Sequence, residues 1–416
     1  MPETRFWHPF ANMAEVRNSS LTIARAEGCY VWDTDGNRYL DGTASLWYVN
    51  AGHGRTEIIE AIHRQAATLD AYSTFGDYTN EPAEQLAARL AAVAPVKEAK
   101  VFFGSGGGDA IETAVKLARR HFIVEGAPDR VHIVTRVGGY HGTHGFGTSM
   151  AGIEPNHSGF GPLVPGHSTV PWDSVEALAA EFDRVGAERV AAFFCEPVVG
   201  AGGVYPPPPG YLESAAALCK EAGVLFVADS VICGFGRIGG WYGVERFGVE
   251  PDLITFAKGV TSGYQPLGGV IVSGDVSRHF WEGDGEVFRH GATYAGHPVC
   301  CAAGLANMDL LEREGLVGRG QEMEQVLLDA LLPLADHHFV KEVRGGVGLL
   351  AAVELSPALM SERPSAVRDL QLAVRELGVL VRPLASAVAV SPPLVVGQEE
   401  IEAISLAISK GLASLG

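Results

Sequence analysis

The sequence predicts an α/β fold with a mostly parallel sheet covered on both faces, and two observations carry that expectation. From about residue 56 to 300, amphipathic helical segments alternate with short, continuous apolar runs rich in β-branched and aromatic residues. Strands buried on both faces read in this way. The chain of 416 residues is 47% hydrophobic and 19% charged, so it can bury a large core and offset the entropy of ordering. At roughly 150 residues per domain, this length suits two or three domains, or one large α/β domain with an appendage.

Taken in order, residues 29–32 and 38–40 flank a turn at 33–37 and form a β-hairpin. A helix follows over residues 82–94, with Pro82 near its start and Leu86, Leu90 and Val93 on one face. The candidate buried strands are 100–103, 131–134, 190–195, 224–228, 253–257 and 269–272. Four prolines at 206–209 make a stiff, extended connector. Beyond residue 305 a helical stretch leads to a strand-like run at 347–355 and then to further helix and strand pieces. Those pieces are expected to join the N-terminal hairpin in a smaller α+β lobe. The division is therefore 1–50 for the first part of that lobe, 51–305 for the large domain and 306–416 for the rest of the lobe.

Composition narrows the function classes. Lys plus Arg less Asp plus Glu is 31 − 49 = −18, which argues against a general nucleic-acid or anionic-membrane binder. Six cysteines, at 29, 195, 219, 233, 300 and 301, form no CxxC pair, so neither a zinc site nor a disulfide framework is expected. No run of eighteen uncharged apolar residues occurs, and the first ten residues carry acid and proline where a secretory leader would be basic and then apolar. Cytoplasmic residence is the expectation.

Three strand ends carry chemistry. Residues 101–118 run from a strand through Gly104-Ser105-Gly106-Gly107-Gly108 straight into a helix, with Asp109 and Glu112 at capping-box spacing. Glycines admit close backbone approach, and the free amides of a first helical turn suit an anion such as phosphate. The same segment also reads as a plain glycine-capped turn. Asp229 follows the run 224–228, and Lys258 follows 253–257. At the carboxyl end of buried strands these are site positions, and a partly desolvated lysine is a better nucleophile toward a carbonyl. Either residue alone is also what a strand reaching the surface shows. Together, a phosphate cup, an acid and an amine on one sheet edge are what pyridoxal phosphate requires. Tyr140, between Gly139 and Gly142, can lie over its ring.

Two other motifs are weaker. Residues 234–239 satisfy GxGxxG, the mark of a dinucleotide-binding oxidoreductase, but they follow Asp229 by five residues and run on into Gly240-Trp241-Tyr242-Gly243 rather than opening a helix. His141 and His144 are spaced like a metal pair, yet glycines at 142, 145 and 147 disfavour a helix there and no third ligand is evident.

The segments SGGGDAIETAVKLAR, GGYHG, EPVVGAGGV, ADSVICGFGRIGG, ITFAKGVTSGYQPLGGV, HGATYAGHPV and RPLASAVAVSPPL, in that order, resemble the successive motifs of the class III aminotransferases. EGCYVWDTDGNRYLDG and LWYVNAGHG extend the likeness to the N-terminus, so it covers nearly the whole chain. The resemblance implies fold type I and pyridoxal 5′-phosphate as cofactor. It implies that Lys258 is the Schiff-base lysine and proton carrier, that Asp229 holds the ring nitrogen, and that Val231 and Tyr140 flank the ring. Ser105, Gly106, Gly107 and Gly108 would take the phosphate, with Thr293 of a neighbouring subunit completing the cup, so a homodimer or tetramer with shared sites is implied. His141 and Glu196 would belong to the same cofactor-binding set, Glu196 by orienting loops, while Arg237 would be structural. Two departures stand out: Asp229-Ser230 replaces the usual Asp-Glu, and the cup reads Ser-Gly-Gly-Gly-Asp.

For substrate, Arg382 matches the arginine with which the ω-aminotransferases of the family clamp a carboxylate. Trp47, Tyr48 and Phe75, the last from the partner subunit, match the aromatic positions of their pocket, though such rings also serve as core or interface packing. An amine or ω-amino acid donor and a keto-acid acceptor, pyruvate first, are therefore expected. A diaminopelargonate-type enzyme is the alternative, because Trp7-His8-Pro9-Phe10 and Val381-Arg382-Pro383 also resemble that branch.

Overall fold

A computed structural model describes residues 4–17 and 19–416. The strands are β1 (Ile23–Glu27), β2 (Tyr30–Asp33) and β3 (Arg38–Asp41) near the N-terminus. Next come β4 (Lys100–Gly104), β5 (His132–Arg136), β6 (His167–Val170), β7 (Val190–Cys195), β8 (Leu225–Asp229), β9 (Leu253–Phe256) and β10 (Gly268–Val272). The last third contributes β11 (Val340–Arg344), β12 (Ala351–Leu355), β13 (Val379–Leu380), β14 (Arg382–Pro383) and β15 (Ala387–Val390).

The expected hairpin is β2–β3, closed because the Asp33 carboxylate accepts from the amides of Asp35 at 3.0 Å and Asn37 at 2.8 Å. β1 adds to its free side, and β13 pairs in parallel with β3, so residues from both ends of the chain build one sheet. A separate four-stranded sheet runs β11-β12-β15-β14.

The central sheet has seven strands in the order β4-β10-β9-β8-β7-β5-β6. All neighbours from β9 to β6 are parallel, and β10 is antiparallel to both β4 and β9. The reversal at β10 has a length cause: the eleven residues from 257 to 267 are too few for a helical crossover, which takes a dozen or more. Every residue of β7, β8, β9 and β10 is buried, as continuous apolar runs foretell. The edge strand β6 was invisible to that criterion, since His167-Ser168-Thr169-Val170 is polar and only Val170 is buried. The helix Glu81–Ala92 packs Leu86 and Leu90 fully inside, each side chain worth about 1.5–3 kcal/mol of burial.

Three local expectations need correction. The strand foreseen over 347–355 is only Ala351–Leu355, because Gly348 takes a left-handed turn with its α-carbon against Arg237 and Ile238. The Gly107–Val124 helix starts two residues before Asp109, which therefore sits in its first turn and accepts the Ser105 amide at 2.8 Å. Glu112 forms no capping box there. Instead it accepts the amides of Phe146 at 2.6 Å and Gly147 at 3.2 Å, and that cap allows a short helix, Gly145–Met150, despite its glycines.

All six cysteines are buried with free thiols, and among the described residues no helix is long and apolar enough to cross a membrane. The parallel run fixes the direction of the sheet, so β4, β5, β7, β8 and β9 all end at one edge. That edge holds every strand-end residue singled out above.

Candidate active site

Gly107 is the meeting point of three strand ends. A Cβ placed on it would come within 3.0 Å of Val231 Cγ1 and 3.8 Å of Ala257 Cβ, residues that lie two past Asp229 and one before Lys258. A side chain at 107 would push these apart, so close approach explains the glycine. Gly108 faces the His144 ring at 3.0 Å by the same construction, whereas a Cβ on Gly106 would meet nothing within 4 Å. The first-turn amides have no intrahelical acceptor and carry the positive end of an eighteen-residue helix. Ser105 differs from the rest of the cup, since its amide is already engaged by Asp109.

Asp229 ends β8 and is held on both oxygens. Oδ1 accepts from Thr255 Oγ1 at 2.9 Å and the Val231 amide at 3.2 Å, while Oδ2 lies 2.8 Å from His141 Nδ1. His141 is buried, with its ring edge-on to Phe194. It reaches the site through the carboxylate.

Lys258 opens a single 3-10 turn directly after β9, with φ of +47°, a left-handed conformation that side-chain-bearing residues rarely adopt. The turn is pinned by Asn307, whose Nδ2 donates to the carbonyls of Gly259 at 2.9 Å and Val260 at 3.0 Å, and whose Oδ1 accepts from Ser262 Oγ at 2.6 Å. Burial lowers the amine's pKa below the ordinary lysine value, against the opposing pull of the Asp229 and Glu196 carboxylates.

Glu196, just past β7, is buried and joins two loops by accepting the Tyr140 amide at 3.1 Å and the Gly200 amide at 3.0 Å. Burial raises its pKa, with Asp229 adding and His141 opposing. Tyr140 is half-buried. Its phenol is raised by burial and feels both Arg382 and Asp229.

Arg382 carries its guanidinium 5.0 Å above the Trp47 ring. Among the described residues it makes no ion pair, and its buried Nε has no hydrogen-bond partner. Burial lowers its pKa, so an unpaired cation waits in a poorly solvated place. Trp47 is buried among Val198, Val204 and Ile232, and the turn that presents it holds Ala44, Ser45 and Trp47 at positive φ. Tyr48 lies over Gly263, in the loop that follows Lys258.

Phe75 and Thr293 are exposed and stand together. Phe75 packs against Gly291, and Thr74 Oγ1 donates to the Ala295 carbonyl at 2.8 Å. Arg237, by contrast, is fully buried and donates to the carbonyls of Leu349 and Pro392 and to Asn50 Oδ1, with burial lowering it to about 10. The GxGxxG run around it is a buried turn that opens no helix.

Sequence reasoning missed Thr255 and Asn307. Each carried a signal, being the lone polar side chain within an apolar strand (Leu253–Phe256) or within the apolar run that opens the Pro298–Arg313 helix. It also passed over the bond that makes His141 a partner of Asp229.

The family model described as "Aminotransferase class-III" matches residues 12–412. The putrescine–pyruvate aminotransferase of Pseudomonas aeruginosa is 36% identical, over 96% of this chain and 92% of its own. Among solved structures, an (S)-enantioselective ω-transaminase from Thermomicrobium roseum superposes with a TM-score of 0.94 at 38% identity, covering 98% of this chain and 96% of that one. An amine transaminase from an uncultivated Pseudomonas species, in a PLP-bound form, gives 0.94 at 36% identity over 100% and 99%.

Proposed function

The chain belongs to the class III aminotransferases, enzymes of fold type I that use pyridoxal 5′-phosphate, and from that membership we propose that it moves an amino group from an amine or ω-amino acid to a keto acid, pyruvate first. The observation that carries the substrate reading is the unpaired Arg382 above Trp47. A planar guanidinium grips the carboxylate of a keto acid by two parallel hydrogen bonds, and by turning aside for an amine that lacks one it would uncover the Trp47 ring buried beneath it.

The cradle fits the cofactor. Space beyond Gly106, free amides at Gly107 and Gly108, a held carboxylate two residues before Val231 and an amine one residue after Ala257, the two residues that crowd Gly107, match a phosphate, a ring nitrogen and an aldehyde. When bound, pyridoxal phosphate supplies the carbonyl that takes the amine and a ring that withdraws electrons from it. In this reading Asp229 holds the ring nitrogen protonated, and Thr255 and His141 keep its carboxylate aimed. Val231 and Tyr140 would flank the ring, with Glu196 holding the Tyr140 loop through its amide. Lys258, with its amine biased toward the neutral form, takes the proton from the amine-bearing carbon of the donor and later returns one.

Phe75 and Thr293 then serve a second copy's site. Their joint exposure supports a homodimer or larger assembly, as do the exposed rings of Phe6, Trp7, Phe10 and Phe160. The division at residues 50 and 305 separates a cofactor-binding body from a lobe built by both chain ends, and the compartment is the cytoplasm.

A half-reaction screen tests the reading. The yellow holoenzyme should lose its colour with simple amines and ω-amino acids in the absence of keto acid, and pyruvate should restore it. Bleaching by α-amino acids alone, with no response to any amine, would overturn the ω-amine assignment and leave the family standing. Selective bleaching by a long-chain diamino acid would favour the diaminopelargonate branch.

A further inference from the structure

His121, Glu125 and His279 converge where two helices end. His121 and Glu125 stand one turn apart at the C-terminal end of the Gly107–Val124 helix and its cap, and His279 lies in the last turn of the Gly274–Trp281 helix. Glu125 Oε2 is 3.6 Å from His121 Nε2, its Oε1 is 3.1 Å from His279 Nε2, and one ligand atom from each residue falls within 4.8 Å of the others. A tetrahedral ion with bonds of about 2.0–2.1 Å keeps its ligand atoms about 3.3 Å apart. Each imidazole already stands at about that distance from one Glu125 oxygen, His121 from Oε2 and His279 from Oε1.

His121 is the buried corner of the cluster: its side chain is only 7% exposed, and its Nε2 faces Glu125. Glu125 and His279 keep 33% and 24% side-chain exposure, which opens a path from solvent. The negative ends of two helix dipoles add to the attraction for a cation.

We propose that His121, Glu125 and His279 form a binding site for a divalent d-block cation, zinc foremost, with water in the fourth position. Two imidazoles and one carboxylate are a donor set suited to zinc and its neighbours, whereas calcium and magnesium favour oxygen ligands throughout. Arg278, whose Nη2 lies 3.4 Å from Glu125 Oε1, must give way, and it is half-exposed with Asp275 at 3.9 Å as another partner. The ion would fasten the far end of the helix whose first turn forms the phosphate cup.

The test uses full-length, cofactor-loaded enzyme stripped of metal and dialysed against zinc, with bound zinc per chain measured by elemental analysis and melting followed in parallel. One equivalent per chain is expected, with a raised melting temperature. His279→Ala and Glu125→Gln, at partly exposed positions, should lose that equivalent and the zinc-dependent rise while melting like the parent without metal. Zinc retained by both variants as by the parent, or no zinc held by the parent beyond what the variants hold, would overturn the assignment. Neither outcome bears on the transaminase reading.

Discussion

His141 Nδ1 and Asp229 Oδ2 lie 2.8 Å apart in a buried contact, so the acid at the end of β8 takes its aim from a loop that follows β5. Removing the imidazole leaves a buried carboxylate oxygen short of a partner, at about 1–3 kcal/mol. His141→Ala should therefore weaken retention of pyridoxal phosphate by roughly 5- to 150-fold. Equilibrium dialysis of the cofactor measures this, and parent-like affinity would show that Thr255 and Val231 hold Asp229 without help.

Lys258→Ala should lose amino transfer by more than about 10³-fold, since both the covalent and the proton-transfer roles go with the amine. The backbone at φ of +47° already bears a Cβ, and the substitution removes a desolvated amine. The melting temperature of the apoprotein should hold or rise. Stopped-flow spectra with a saturating amine and a thermal melt check the two halves separately.

Because burial lowers the Lys258 pKa, the neutral amine is populated at lower pH than in a free lysine, near 10.4. Site-resolved acylation of the apoprotein at Lys258 should therefore rise with pH and level off at a lower pH than acylation of a free lysine amine does. The same shift has a stability sign: the folded state releases this proton more readily than the unfolded chain. Its contribution thus improves as pH climbs from the lowered value to the ordinary one, and Lys258→Ala should flatten that part of the stability profile.

Arg382→Ala should raise KM for pyruvate roughly 10- to 150-fold, the equivalent of about 1.5–3 kcal/mol for charge-assisted hydrogen bonds. Amines without a carboxylate should be unaffected as donors or improved. Equal loss for both substrate classes would place Arg382 in the scaffold instead.

Ser230 is fully buried, and among the described residues its hydroxyl has no hydrogen-bond partner. Ser230→Ala should be neutral or stabilise the fold by up to about 1 kcal/mol, with activity retained. Chemical denaturation measures it, and a loss of more than about 1 kcal/mol would mean that the hydroxyl is bonded in solution.

Much of this could be read from the chain because the chemistry sits at strand ends. Continuous apolar runs located β7, β8 and β9, and the residue that stops each run, or comes just past it, is Glu196, Asp229 or Lys258. Motif order added Arg382, the proposed carboxylate clamp. What stayed hidden depends on contacts between distant segments. The polar edge strand β6 has a place only because β5 lies beside it, and the antiparallel β10 follows from a short connection that periodicity does not register. Asn307 works through a turn nearly fifty residues away, and the cap on the Gly145–Met150 helix comes from Glu112 on another helix.

The pairing of Leu40 with Val379 spans 379 − 40 = 339 positions. During synthesis β3 therefore waits for its parallel neighbour until residues 379 and 380 have left the ribosome. A premature stop upstream of residue 379 would release a chain whose first hairpin has an open flank, ready to pair with another nascent molecule.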